Sequence, residues 1–127
     1  MSKIVQTNNL RIVRTRPLLT PALLTEEIPA TEKAMELVNR SRSIVESILD
    51  GIDKRMLAIV GPCSVHDPAA AIDYAKKLKP VADQLSDSLF IMMRVYFEKP
   101  RTVMGWKGLI NDPDMNGSYR INEGLRK

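Results

Sequence analysis

The chain holds one cysteine and one histidine, Cys63 and His66, three positions apart in "GPCSVHDP". A thiolate beside an imidazole can serve as nucleophile and base, provided a helix dipole or nearby cations lower the thiol pKa. The same side chains can be metal ligands, soft sulfur and borderline nitrogen, for Zn2+, Fe2+ or Mn2+. A closed site needs three or four ligands, and the chain has no other Cys or His. The third reading is a buried structural thiol beside an exposed loop histidine, which the Cys-x-x-His spacing by itself favours. A second candidate is "RVYFEKPRT", where Arg94, Lys99 and Arg101 are interleaved with apolar residues ahead of Thr102. Guanidinium forks and an ammonium converging there would suit phosphate and carboxylate oxygens. A solvated basic loop is the plain alternative. It is less attractive because Arg94 lies inside an apolar strand, where an unpaired charge is costly. "GWKGLINDPDMNGSY" has neither phosphate-loop spacing nor a dinucleotide fingerprint. Asp112 and Asp114 read as exposed turn residues, Trp106 as a packing anchor, and Met92 and Met93 as core.

These residues need elements to position them. "RMLAIVGP" is a continuous apolar run of strand length stopped by Gly61 and Pro62, the pattern of a strand covered on both faces. Asp67 and Pro68 open a helix, "PAAAIDYAKKLKPVADQL", bent or ended near Pro80. "LFIMMRVYF" is a second buried strand, so the three make a βαβ unit. In α/β proteins ligands bind beyond the carboxyl ends of the strands, and both candidate segments leave from that one rim. A long Gly-, Pro- and Asp-rich loop follows, then a helix starting near Ser118 to Ile121. Upstream, Thr31 caps a helix that runs to Gly51, with Ala34, Leu37, Val38, Val45, Ile48 and Leu49 on one face. Residues 1–30 carry Pro17, Pro21 and Pro29 and allow one short strand, Leu10 to Val13. The expected division is an amino-terminal extension over 1–52 and βα units over 53–127.

Composition narrows the class. Hydrophobic residues are 44% and charged residues 27%, the balance of a globular chain. No apolar run approaches the ~20 residues of a membrane span, so no membrane partner is expected. One cysteine makes no internal disulfide, which points to a reducing cytoplasm. The net charge of +4 is mild, and aromatics at 5% give no stacking platform for nucleic acid.

"GPCSVHDP", "MRVYFEKPRT" and "GWKGLINDPDMNGSYRINEGLRK" together resemble the microbial type I 3-deoxy-D-arabino-heptulosonate 7-phosphate (DAHP) synthases. The resemblance runs from about Leu10 to the last residue and is strongest over 56–127. It implies condensation of phosphoenolpyruvate with erythrose 4-phosphate, release of phosphate, and a divalent metal (Mn2+, Fe2+, Co2+ or Zn2+). Cys63 matches the family's cysteine metal ligand, and His66 is not among its ligands. Arg94 matches a phosphoenolpyruvate-binding arginine, and Lys99 the lysine between the two substrates. Lys99, Pro100, Arg101 and Thr102 match the erythrose 4-phosphate site. The family fold is a (β/α)8 barrel of about 250 residues. The chain is thus expected to hold the extension and about the first two barrel strands, and to be inactive alone. The resemblance further implies a homo-oligomer, dimer or tetramer, inhibited by an aromatic amino acid. "NNLRI" resembles the regulatory segment, which makes Asn8, Asn9 and Ile12 the effector candidates. A non-catalytic fragment acting in assembly or effector binding is the alternative from another class.

Overall fold

The computed structural model describes residues 7–12, 14–99 and 105–127. Six elements follow one another: α1 (Pro21–Glu27), α2 (Glu32–Leu49), β1 (Met56–Val60), α3 (Pro68–Gln84), β2 (Leu89–Met93) and α4 (Ile121–Gly124). Each of the first three helices starts where its sequence supplies an acceptor for an orphan N–H. Thr31 Oγ1 accepts from Ala34 N at 3.2 Å to start α2, and Asp67 Oδ1 accepts from Ala69 N at 2.9 Å to start α3. Gly51, at φ 71°, follows the end of α2 in the left-handed conformation. α1 is opened by Thr20 and Pro21. It is too short to show a helical period, and the sequence reading leaves it as irregular chain.

β1 and β2 pair in parallel, in the register Met56↔Leu89, Ala58↔Ile91 and Val60↔Met93. α3 is the crossover between them, so the expected βαβ unit is present. α3 packs on β2 and α2 on β1.

Three expectations need correction. Leu10 and Arg11 form a turn, not a strand, closed by Ile12 N donating to Asn9 O at 2.9 Å, with Asn9 at φ 55°. Val13, the last residue of that expected strand, lies outside the described residues. α3 does not end at Pro80, one of the two outcomes expected there, but continues to Gln84. Lys76, whose carbonyl loses its partner four residues before Pro80, and Pro80 itself are both exposed residues, where water can replace the missing donor. The sheet is also not covered on both faces: Met56 and Ile59 are 69% and 64% exposed.

Val65 and Leu109 are buried apolar residues, 4% and 2% exposed. Both belong to loops at the carboxyl ends of the strands, so the tightest packing surrounds that rim. Between α2 and the sheet runs an apolar groove of about 960 Å³, bordered by Leu37, Val45, Leu57, Leu89 and Ile91. Among the described residues no helix is long and apolar enough to cross a membrane.

Candidate active site

Parallel pairing sends the chain out of β1 and β2 on the same side, and main-chain bonds carry the pairing past the strands. Arg94 N donates to Val60 O at 2.6 Å, and Val65 N to Tyr96 O at 2.9 Å. Gly61 sits at this junction at φ 125°, with a would-be Cβ only 2.8 Å from Arg94 O. A side chain there would collide with the neighbouring strand end.

Arg94 leaves β2 with its Nε donating to Pro62 O at 3.2 Å and its guanidinium 5.4 Å from the Tyr96 ring centre. The expected unpaired charge in an apolar strand is thereby resolved. The residue lies just past the strand, tied to a carbonyl and an aromatic face. Lys99 reaches back across the rim, its Nζ donating to Cys63 Sγ at 2.8 Å. The hydrogen bond and charge of Lys99 hold the Cys63 thiol below its ordinary pKa, and the Arg94 charge adds to this. Desolvation works the other way, more strongly than the Arg94 charge but less than Lys99.

Cys63 is exposed, which overturns the buried structural thiol that its spacing favoured. His66 is exposed as well. The side chain bonded to Cys63 is Lys99, not His66. Pro100, Arg101 and Thr102 lie outside the described residues.

The stretch that carries Lys99 is held by the loop after it. Glu98 and Gly108 form an antiparallel bridge, and Lys99 N donates to Lys107 O at 2.8 Å. Gly108 allows this approach: a Cβ there would run into the Phe97 carbonyl, and its φ is 136°. Trp106 Nε1 donates to Asp112 O at 2.7 Å, and Leu109, 2% exposed, anchors the turn. Asp112 is 6% exposed, not the exposed turn residue its Asp- and Gly-rich context implies. Asn8, Asn9 and Ile12 are exposed on the amino-terminal arm.

The arm itself docks on α4. Asn122 Oδ1 accepts from Leu19 N at 2.9 Å, and its Nδ2 donates to Pro17 O at 3.1 Å. Arg126 holds Glu27 through two bonds of 2.6 and 2.9 Å, which lowers the Glu27 pKa. A cleft of about 620 Å³ beside this docking is lined by Arg14, Arg16, Tyr119 and Arg120, and includes neither Cys63 nor Lys99.

The rim presents a thiolate-prone sulfur flanked by two cations, an arrangement suited to anionic oxygens and to a soft metal. No cluster of three or more His, Cys, Asp or Glu that could hold a metal occurs among the described residues. Cys63 therefore fits as one donor of a metal shell, and the described residues do not complete that shell.

Known proteins give this geometry a context. The chain is 53% identical over 121 residues to the Phe-sensitive phospho-2-dehydro-3-deoxyheptonate aldolase of Escherichia coli (strain K12), covering 95% of this chain and 35% of that one. It is 50% identical over 116 residues to the tyrosine-inhibited enzyme of that name from Schizosaccharomyces pombe, covering 91% and 31%. The solved structure of phospho-2-dehydro-3-deoxyheptonate aldolase from Francisella tularensis superposes with a TM-score of 0.85 at 50% identity, over 91% of this chain and 34% of that one. The chain thus spans about a third of the length of these relatives. Residues 27–126 match the model of the DAHP synthetase I family, and the chain belongs to that family.

Proposed function

We propose that this chain forms the amino-terminal third of a (β/α)8 enzyme that condenses phosphoenolpyruvate with D-erythrose 4-phosphate and water. The products are DAHP and phosphate, in the first step of the shikimate pathway to the aromatic amino acids. The observation that carries the reading is the convergence of Arg94, Lys99 and Cys63 on one rim, with Lys99 Nζ 2.8 Å from Cys63 Sγ. Arg94, immobilised by Pro62 and Tyr96, offers a guanidinium to the carboxylate and phosphate of phosphoenolpyruvate. Lys99 neutralises negative charge between the two substrates as the carbon–carbon bond forms. Water then adds to the former enol carbon, and phosphate leaves. Pro100, Arg101 and Thr102 complete the erythrose 4-phosphate site. Cys63, kept thiolate-prone by Lys99, is one ligand of a divalent ion (Mn2+, Fe2+, Co2+ or Zn2+). When bound, that ion supplies a Lewis acid for the aldehyde oxygen.

The names of the relatives, Phe-sensitive and tyrosine-inhibited, support feedback inhibition by an aromatic amino acid. The proposal extends to a cytoplasmic homo-oligomer, with Asn8, Asn9 and Ile12 as the effector segment. The described residues hold no group of three or more His, Cys, Asp or Glu that could bind a metal, and they leave much apolar surface open. Both facts support the reading that the 127-residue polypeptide is inactive alone and acts only within a complete barrel.

The test is consumption of phosphoenolpyruvate by an enzyme of full family length that contains this chain, with and without chelator. Activity dependent on erythrose 4-phosphate is expected, lost on chelation and in Cys63→Ala. Undiminished turnover in Cys63→Ala, or in the 127-residue polypeptide, would refute the reading.

A further inference from the structure

The guanidinium of Arg94 rests over one aromatic ring. Its central carbon lies 5.4 Å from the Tyr96 ring centre, and its Nε donates to Pro62 O at 3.2 Å. Among the described residues its Nη1 and Nη2 make no hydrogen bond, and no carboxylate pairs with it. One bond at Nε leaves the group free to swing about that bond, and contact with the ring opposes the swing. A carboxylate in the same place would also hold Arg94 but would neutralise it. An aromatic face restrains a guanidinium and leaves its charge and its fork for an anionic ligand.

Tyr96 is itself anchored through its main chain. Its carbonyl accepts at 2.9 Å from the N–H of Val65, which is 4% exposed. That bond survives any change of side chain at 96, so a substitution there isolates the ring. The ring's residue is 47% exposed and adds little to a core. Arg94 and Tyr96 are two positions apart, the spacing that puts side chains on one side of an extended segment.

We propose that Tyr96 is a positioning residue for phosphoenolpyruvate binding, its ring holding the Arg94 guanidinium in place without neutralising it. This deepens the synthase reading above and rests on it for the kinetic consequence. Without the ring Arg94 samples several positions, and binding must first fix one of them.

The test uses an enzyme of full family length that contains this chain. In Tyr96→Leu, KM for phosphoenolpyruvate is expected to rise about tenfold, the scale of a partly desolvated cation–π contact. kcat should stay within about threefold, because Lys99 is held separately through Lys107 O. Tyr96→Phe keeps the aromatic face and should bring KM back to within about threefold of wild type. Tyr96→Met keeps apolar bulk without a ring and should be as impaired as Tyr96→Leu. It also takes the place of Tyr96→Leu if that variant does not fold. Crystal structures supply a readout that needs no turnover. The Arg94 guanidinium should keep its wild-type position in Tyr96→Phe and occupy more than one in Tyr96→Leu. An unchanged KM in Tyr96→Leu overturns the proposal, as does a loss carried wholly or mainly by kcat. So does Tyr96→Phe as impaired as Tyr96→Leu, or a single wild-type position for Arg94 in Tyr96→Leu. An inactive wild-type enzyme would sink the synthase reading instead, and the crystal structures would still decide whether the ring holds Arg94.

Discussion

At the residue scale the contact between Lys99 Nζ and Cys63 Sγ governs the chemistry of the rim. An ammonium at 2.8 Å stabilises the thiolate, so the folded-state pKa of Cys63 lies below its unfolded value. The sign follows from linkage: the stabilisation is fully present above the unfolded thiol pKa and is lost as pH falls through the depressed, folded value. Lys99→Met should therefore move the midpoint of Cys63 alkylation by iodoacetamide up toward the ordinary thiol range. At neutral pH it should slow the reaction roughly tenfold for each pH unit of that movement. The measurement is the pH–rate profile of metal-free protein, and an unchanged midpoint would show that Lys99 does not control the thiol. The sequence offers Cys63 with His66 because they are neighbours, whereas the bonded pair is separated by 36 positions. Nothing in local spacing marks a lysine that reaches its partner only after two strands have paired. Asp112 escapes the sequence for a related reason: an Asp-Pro-Asp run looks like a solvated turn until Leu109 and Trp106 are packed over it.

At the element scale, the two strand ends touch through Gly61. Its φ of 125° and the 2.8 Å approach to Arg94 O leave no space for a side chain. Gly61→Ala should cost about 1–3 kcal/mol from the backbone conformation alone. It should also push Arg94 away from Pro62 O, raising KM for phosphoenolpyruvate about tenfold with a smaller change in kcat. Denaturant unfolding and steady-state kinetics of the full-length enzyme check both parts, and an unaltered KM would separate Gly61 from the Arg94 site. The elements legible in the sequence are those with chemical punctuation. Thr31 and Gly51 bracket α2, Asp67 and Pro68 open α3, and Gly61 and Pro62 stop β1. Those that misled lack it. "LRIV" has strand composition, but its described residues pair with no strand among those described, and the backbone turns instead at Asn9 to Ile12. α1 holds seven residues, fewer than two apolar repeats, so only its cap betrays it.

At the scale of the whole molecule, long-range ties are few and concentrated. Asn122 and Arg126 fasten the arm at Pro17, Leu19 and Glu27. The βαβ unit is fastened separately, by its strand ladder, at its rim and by the Arg55–Ser86 bond at the other end of the strands. Between these ties much apolar surface faces water: Leu49 and Ile52 are each 75% exposed, Met56 69% and Ile59 64%. The continuous apolar runs of β1 and β2 foretell strands covered on both faces, and among the described residues that cover is incomplete. Among the described residues, α2 and α3 pack on the sheet and leave part of its apolar surface uncovered. Contiguous exposed apolar area of this kind drives association and binds apolar dyes. The purified 127-residue polypeptide should accordingly enhance anilinonaphthalene sulfonate fluorescence and self-associate at about 10 µM and above. An enzyme of full family length containing the same chain should do neither to the same degree, because further barrel units would cover Ile59 and its neighbours. Dye titration and light scattering on the two proteins decide the matter. A monodisperse, dye-silent 127-residue monomer would mean that the α2–sheet groove closes on itself, and that these residues form an independent domain rather than one part of a barrel.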